Sequence, residues 1–433
     1  MTVPADQTLF FSLPLELRQL IYNSVLASPQ HGPQLLRTCR EIHSEAQKFL
    51  FERPLNFRSQ VALFDWLDQV PHEYLSQTKE LSLSIQDVDL RSLLDATALI
   101  SHPGDPPRLL TWDLYEAELD KLHRGLNQLP KIQKITIRAI AGRQSFLYRD
   151  FLKKFLVLLT SLYPDLLELR LEGNLHHQDL SFLSRFSRLQ ALSFDGFCAS
   201  SPLETAKILS GLEHLTSLSL VSQSAMLAAD SHTHSTFTSR RQSLTGEVVN
   251  AMNNLKYFSV TEINPVAAPT LYFTPEVLAS LQNHKGLKVI KVCLSRAPSR
   301  ETMTALERFL EHTRINVLEL DWPQLHFHML ETFSLIPKDL EKLWVRVRSA
   351  ADAVEMIQSI AKSRGAGDLC ALDELVLLRS MQTYNELTSV INDGKDLRSM
   401  HSRSGDTDAS NIVRAQSRLQ SLGVRVSWCT EAS

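Results

Sequence analysis

The sequence predicts an α/β protein: a small N-terminal helical module, then an irregular array of repeated strand-plus-helix units. Three observations predict this. A short motif, apolar-x-x-apolar-x-apolar, keeps returning after residue 75. Segments of helical periodicity separate its copies. Two amphipathic stretches of a different pattern precede the array.

The first stretch is FSLPLELRQLIYNSVL. Pro14 suits the first turn of a helix, where its missing N–H costs nothing, and Ser12 is a cap candidate upstream. Leu13, Leu17, Ile21 and Val25 recur every four residues with Leu20 beside them, giving one apolar face. Gln30 to Pro33 carries turn chemistry. Leu35, Cys39, Ile42, Ala46 and Phe49 then predict a second amphipathic helix.

Leu13-Pro14, Glu16, Leu17, Ile21 and Leu26, then Leu36-Arg37-Thr38-Cys39-Arg40, Ile42, Glu45-Ala46 and a closing Leu50-Phe51, carry a resemblance. In order and spacing they resemble an F-box, in the form common in fungal proteins, over residues 9–58. The chain departs from that pattern at His43, where the usual F-box has an aromatic residue. The resemblance implies that Leu13, Pro14, Leu17, Ile21, Leu36, Cys39 and Ile42 bury partly within the module and partly against a Skp-family adaptor. The other reading is a helical cap on the array behind it.

In the array, full copies of the motif stand at Ile132/Ile135/Ile137, Leu166/Leu169/Leu171, Leu189/Leu192/Phe194, Leu215/Leu218/Leu220 and Leu255/Phe258/Val260. They continue at Leu287/Ile290/Val292, Ile315/Leu318/Leu320, Leu340/Leu343/Val345 and Leu372/Leu375/Leu377, with weaker copies at Leu81/Leu83 and Val424/Val426. The last two positions alternate, as a strand with one buried face requires. Leu119 to Leu129, Asp150 to Leu162, Pro202 to Leu212 and Glu301 to His312 read as helices between copies. This pattern resembles a leucine-rich repeat solenoid over residues 75–428. The ladder Asn or Cys of that family is matched only at Asn174 and Cys429; Phe197, Gln223, Pro323 or Arg348 fills the slot elsewhere, so irregular turns are expected. The alternative is an ordinary α/β domain. Residues 221–250 and 392–417 are polar insertions that read as surface loops. In the first, Ser243 follows Arg240-Arg241, as in basophilic kinase targets.

Composition excludes several function classes. Lys plus Arg is 45 against 48 for Asp plus Glu, so no basic field invites nucleic acid. The strongest apolar run, Phe155 to Tyr163, is too short to span a membrane. The acidic start MTVPADQ is not a signal peptide, and five scattered cysteines read as reduced thiols. The expected location is cytoplasmic, nuclear or both.

No phosphate loop or nucleophile elbow occurs. Asp230, His232 and His234, or His326 and His328, lack further ligands for a metal. No catalysis, cofactor or metal is therefore assigned. What remains is recognition by residues between the buried strand positions: Arg138, Arg170, Tyr257, Lys291, Glu319, Lys342, Trp344 and Arg346. Lys342 and Arg346 are suited to an acidic or phosphorylated partner. Trp344 is either an exposed anchor or core under a neighbouring loop. Joined, the two resemblances imply the substrate-recognition subunit of an SCF ubiquitin ligase, its F-box on a Skp adaptor and cullin, its repeats holding a protein substrate. The alternative is a repeat scaffold with a helical cap and no ligase role.

Overall fold

The computed structural model describes residues 10–27, 32–89, 110–142, 144–222, 242–262, 270–379 and 405–430. The chain divides into two compact units, Met1–Asn174 with Arg185–Leu189, and Leu175–Ser184 with Gln190–Ser433.

The first unit opens with helix α1 (Leu15–Ala27), a single turn α2 (Gly32–Leu35) and α3 (Arg40–Phe51). The expected second helix is thus broken. Cys39 ends the break as N-cap of α3, its extended backbone turning the chain and its Sγ accepting the Ile42 N–H at 3.5 Å. The three helices share a core of Tyr22, Leu26, Ala46 and Phe49, with Phe10, Leu35, Leu36 and Ile42 packed around it.

Four parallel strands follow in sequence order: β1 (Leu55–Phe57), β2 (Glu80–Ser84), β3 (Lys134–Arg138) and β4 (Glu168–Glu172). The sheet therefore begins earlier than residue 75. Leu81, Ile135 and Leu169 lie in register, as do Leu83, Ile137 and Leu171, and all are buried. Helices α4 (Gln60–Gln69), α5 (His72–Leu75), α6 (Leu110–Leu126) and α7 (Phe146–Leu162) cover this apolar side. Asn174 is buried and donates to the Gly142 carbonyl at 3.3 Å.

The second unit repeats the same unit eight times. Its strands are β5 (Ala191–Phe194), β6 (Ser217–Ser222), β7 (Tyr257–Glu262), β8 (Val289–Leu294), β9 (Val317–Asp321), β10 (Lys342–Val347), β11 (Glu374–Arg379) and β12 (Arg425–Thr430). They are parallel and ordered as in the sequence. One row in register runs Leu192, Leu218, Phe258, Ile290, Leu318, Leu343, Leu375 and Val426; the next runs Phe194, Leu220, Val260, Val292, Leu320, Val345, Leu377 and Trp428. These are the motif positions, and period-2 alternation sends them all to one side. The last copy differs from its expected frame. Val426 and Trp428 fill the rows, two residues beyond Val424 and Val426, so Cys429 lies in the strand opposite Leu378 and is no ladder residue.

Successive strands from β8 to β10 enter through the same backbone contact. The Lys256 carbonyl accepts the N–H groups of Lys288 and Val289, the Lys288 carbonyl those of Asn316 and Val317, and the Asn316 carbonyl those of Glu341 and Lys342. Helices return the chain behind the sheet, among them α8 (Pro202–Ser210), α9 (Arg300–His312) and α10 (Ala350–Gly365). Ser201 and Glu204 form a full capping box on α8, and Ser299 caps α9.

Candidate functional site

Two surfaces carry the residues singled out above. The first is the outer side of α1. Tyr22 and Leu26 point into the module core, and this leaves Leu15, Leu17, Leu20 and Ile21 exposed at 42%, 47%, 67% and 39%. Those four leave about two whole side chains' worth of apolar surface in water, worth roughly 3–6 kcal/mol on burial. Pro14 is exposed just before α1, and Leu13 is half-buried. Leu36 and Ile42 are half-buried against the core, and Cys39 is an exposed free thiol. Leu15 and Leu20 belong to the open surface although periodicity did not single out Leu15 and set Leu20 only beside the face.

A polar cluster lies beneath this surface. Arg18 grips the Glu45 carboxylate with two nitrogens, Nη2 to Oε1 at 2.5 Å and Nε to Oε2 at 2.9 Å. Its Nη1 donates to the carbonyls of Leu13 at 2.8 Å and Phe11 at 3.2 Å. The Tyr22 hydroxyl donates to Glu45 Oε2 at 2.8 Å. The hydrogen bond from Arg18 holds the Glu45 carboxyl below its ordinary range. Burial, with Glu45 alongside, pushes the Tyr22 phenol up to about 12.

The second surface is the side of each sheet opposite the buried rows. In the first unit, Arg138 pairs with Glu172 at 2.6 Å and reaches Asn56 at 3.0 Å; Arg170 and Lys134 both engage Glu168, at 2.9 and 3.2 Å. In the second unit, one row runs Ser193, Ser219, Ser259, Lys291, Glu319, Trp344, Val376 and Ser427. Lys291 bonds Glu319 at 2.8 Å, and its ammonium lies 4.9 Å from the Trp344 ring centroid. Burial disfavours the charged Lys291, but the bond to Glu319 outweighs it and raises the pKa. Trp344 is half-buried on this face, outside the apolar rows.

Beside this row, Lys342 pairs with Glu374 at 3.1 Å, and Tyr257 is half-buried in register with Val289. Arg346 holds the buried Asp321 through both carboxylate oxygens. Cys293 donates to the same carboxylate at 3.6 Å, and burial followed by Asp321 pushes its thiol up to about 12. Arg138, Lys291, Lys342 and Arg346 thus meet acids on neighbouring strands, and Arg170 meets one two residues back on its own strand. The sequence view of Lys342 and Arg346 missed those partners, which lie one repeat away.

Other sequence expectations find their places. His326 precedes a short helix, Phe327–Thr332, without a side-chain bond to it, and both it and His328 are exposed. Asp230, His232 and His234 lie outside the described residues, as do Gln223, Arg240 and Arg241. No group of three or more potential metal ligands comes together among the described residues. None of their helices is long and apolar enough to cross a membrane. Ser243 is fully buried, its hydroxyl donating to the Gly196 carbonyl at 3.0 Å, so a kinase could not reach it in this conformation. No protein-family model matches the chain, and no curated protein matches it.

Proposed function

We propose that this chain is a non-catalytic substrate-recognition subunit of an SCF-type ubiquitin ligase. Residues 9–58 act as an F-box that docks on a Skp-family adaptor, and through it on a cullin. The strand–helix units act as leucine-rich repeats whose open sheet face holds a protein substrate. Location in the cytoplasm or nucleus follows from that role. The chain contributes effective concentration, holding a substrate lysine near the ubiquitin-charged enzyme.

One observation carries the reading. The helical module satisfies its own core from residues 10–49 and still leaves Leu15, Leu17, Leu20 and Ile21 in water beside Pro14. A cap would turn such residues inward; a docking module leaves them for a partner. Co-purification with a recombinant Skp adaptor tests it, beside Leu13→Ala/Pro14→Ala and Leu17→Asp variants checked by circular dichroism. Binding by the parent and loss in the folded variants are expected. A well-folded parent that binds no adaptor sinks the reading.

Contacts at the end of α3 favour the cap reading. Phe51 at the end of α3 stacks on Tyr74 with centroids 4.5 Å apart, so the helices do adjoin the start of the sheet. On that reading the open α1 surface has no partner, and Leu17→Asp changes nothing measurable.

A further inference from the structure

We infer that Arg18 and Glu45 are the positioning pair of the α1 docking surface. They fix the Phe11–Leu13 turn on α1 and lock α1 to α3, so that the surface is preformed before a partner arrives. This inference rests on the docking role proposed above, which nothing so far assigns to either residue.

The argument starts from what Arg18 touches. All three guanidinium nitrogens are engaged, two on a carboxylate of α3 and one on two carbonyls of the turn before α1. The ring of Phe11 lies 5.7 Å from the guanidinium carbon. The side chain is only 13% exposed, so it is not itself part of the outer surface. Glu45 is held in turn by Tyr22, which is fully buried and packs against Phe10 with ring centroids 5.7 Å apart.

Backbone bonds also shape the turn. Leu13 donates to Phe10, and Pro14 has no N–H to offer, although its carbonyl accepts from Leu17 and Arg18. The Arg18 fork adds two side-chain ties to this path, at the carbonyls of Phe11 and Leu13. A lysine could keep the charge but not the planar, multi-donor geometry. Losing the fork leaves the leucines present but free to occupy several arrangements. The apparent affinity then falls with the fraction of molecules in the competent one.

The test is binding kinetics of the full chain to an immobilised Skp adaptor, with Arg18→Lys and Glu45→Gln, and hydrogen exchange of the free chain. We expect Arg18→Lys to bind about tenfold more weakly through slower association, with dissociation nearly unchanged. Exchange should quicken in peptides covering Phe11–Arg18 and stay as it was in the strands. Glu45→Gln keeps an acceptor for Tyr22 and should fall between parent and Arg18→Lys. Parent-like association in Arg18→Lys overturns the inference. So does a change confined to dissociation, which would make Arg18 a direct contact. If the parent binds no adaptor, the ligase reading falls first. The clamp is then judged on exchange alone, and unchanged exchange at Phe11–Arg18 overturns it too.

Discussion

The Tyr272 hydroxyl donates to the backbone carbonyl of Asp195 at 2.5 Å, tying the connection after β7 to the turn after β5. Gly196 makes this approach possible. It adopts φ +78°, and a Cβ there would lie 2.3 Å from the Tyr272 ring. Glu262 completes the arrangement by accepting the Leu271 and Tyr272 N–H groups at 2.8 and 3.0 Å. Gly196→Ala should therefore destabilise the second unit by more than about 3 kcal/mol, from strain and clash together. Tyr272→Phe, which leaves one carbonyl short of a partner, should cost about 1–3 kcal/mol. Urea unfolding of both variants checks the order.

Arg346 and Asp321 supply a second test. The Asp321 side chain is 5% exposed, so removing its guanidinium strands a buried charge. Arg346→Ala should cost roughly 3–5 kcal/mol, and adding Asp321→Asn should recover a good part of it. Thermal melts of the single and double variants give the answer. Equal stability of the two would mean that the ion pair is not what holds these strands.

Lys291 joins Glu319 and Trp344 into one three-strand contact. A double-mutant cycle on Lys291→Ala and Trp344→Ala should show a coupling of about 0.5–1 kcal/mol. Additive effects would place the ammonium away from the ring in solution.

Alkaline pH should loosen the fold. Burial and Glu45 push Tyr22 up to about 12, and burial with Asp87 does the same to Tyr115. Tyr148, Tyr163 and Tyr272 are raised further, chiefly by burial. Raised phenol pKa values mean that the folded state favours the protonated form. Their contribution is complete below the unfolded value near 10 and is lost as pH climbs through 12. Phenolate absorbance should therefore rise together with the loss of ellipticity. Titration of these tyrosines in a fully folded chain would contradict the burial argument.

Much of the architecture was legible because it rests on a strict two-residue alternation of buried and open positions. That is why the Leu192 and Phe194 rows could be read directly. β1 escaped because Leu55-Asn56-Phe57 is too short for a pattern to stand out. The last copy slid by two because Val424, Val426 and Trp428 share one parity, so a two-residue shift keeps the same face. In α1 apolar residues occur all round the helix, and periodicity alone did not decide that Tyr22 rather than Leu17 faces the core. On the sheet faces the cations were visible, but apart from Glu168 beside Arg170 their acids sit a full repeat away. Only folding reveals that pairing.

The backbone contact passed from Lys256 to Lys288 to Asn316 has a bearing on how the protein is made. Within each unit the described strands pair with the strands just before and just after them. Among the described strands, none waits for a partner synthesised much later. The sheet can be laid down in order as the chain leaves the ribosome, each repeat offering a finished edge to the next.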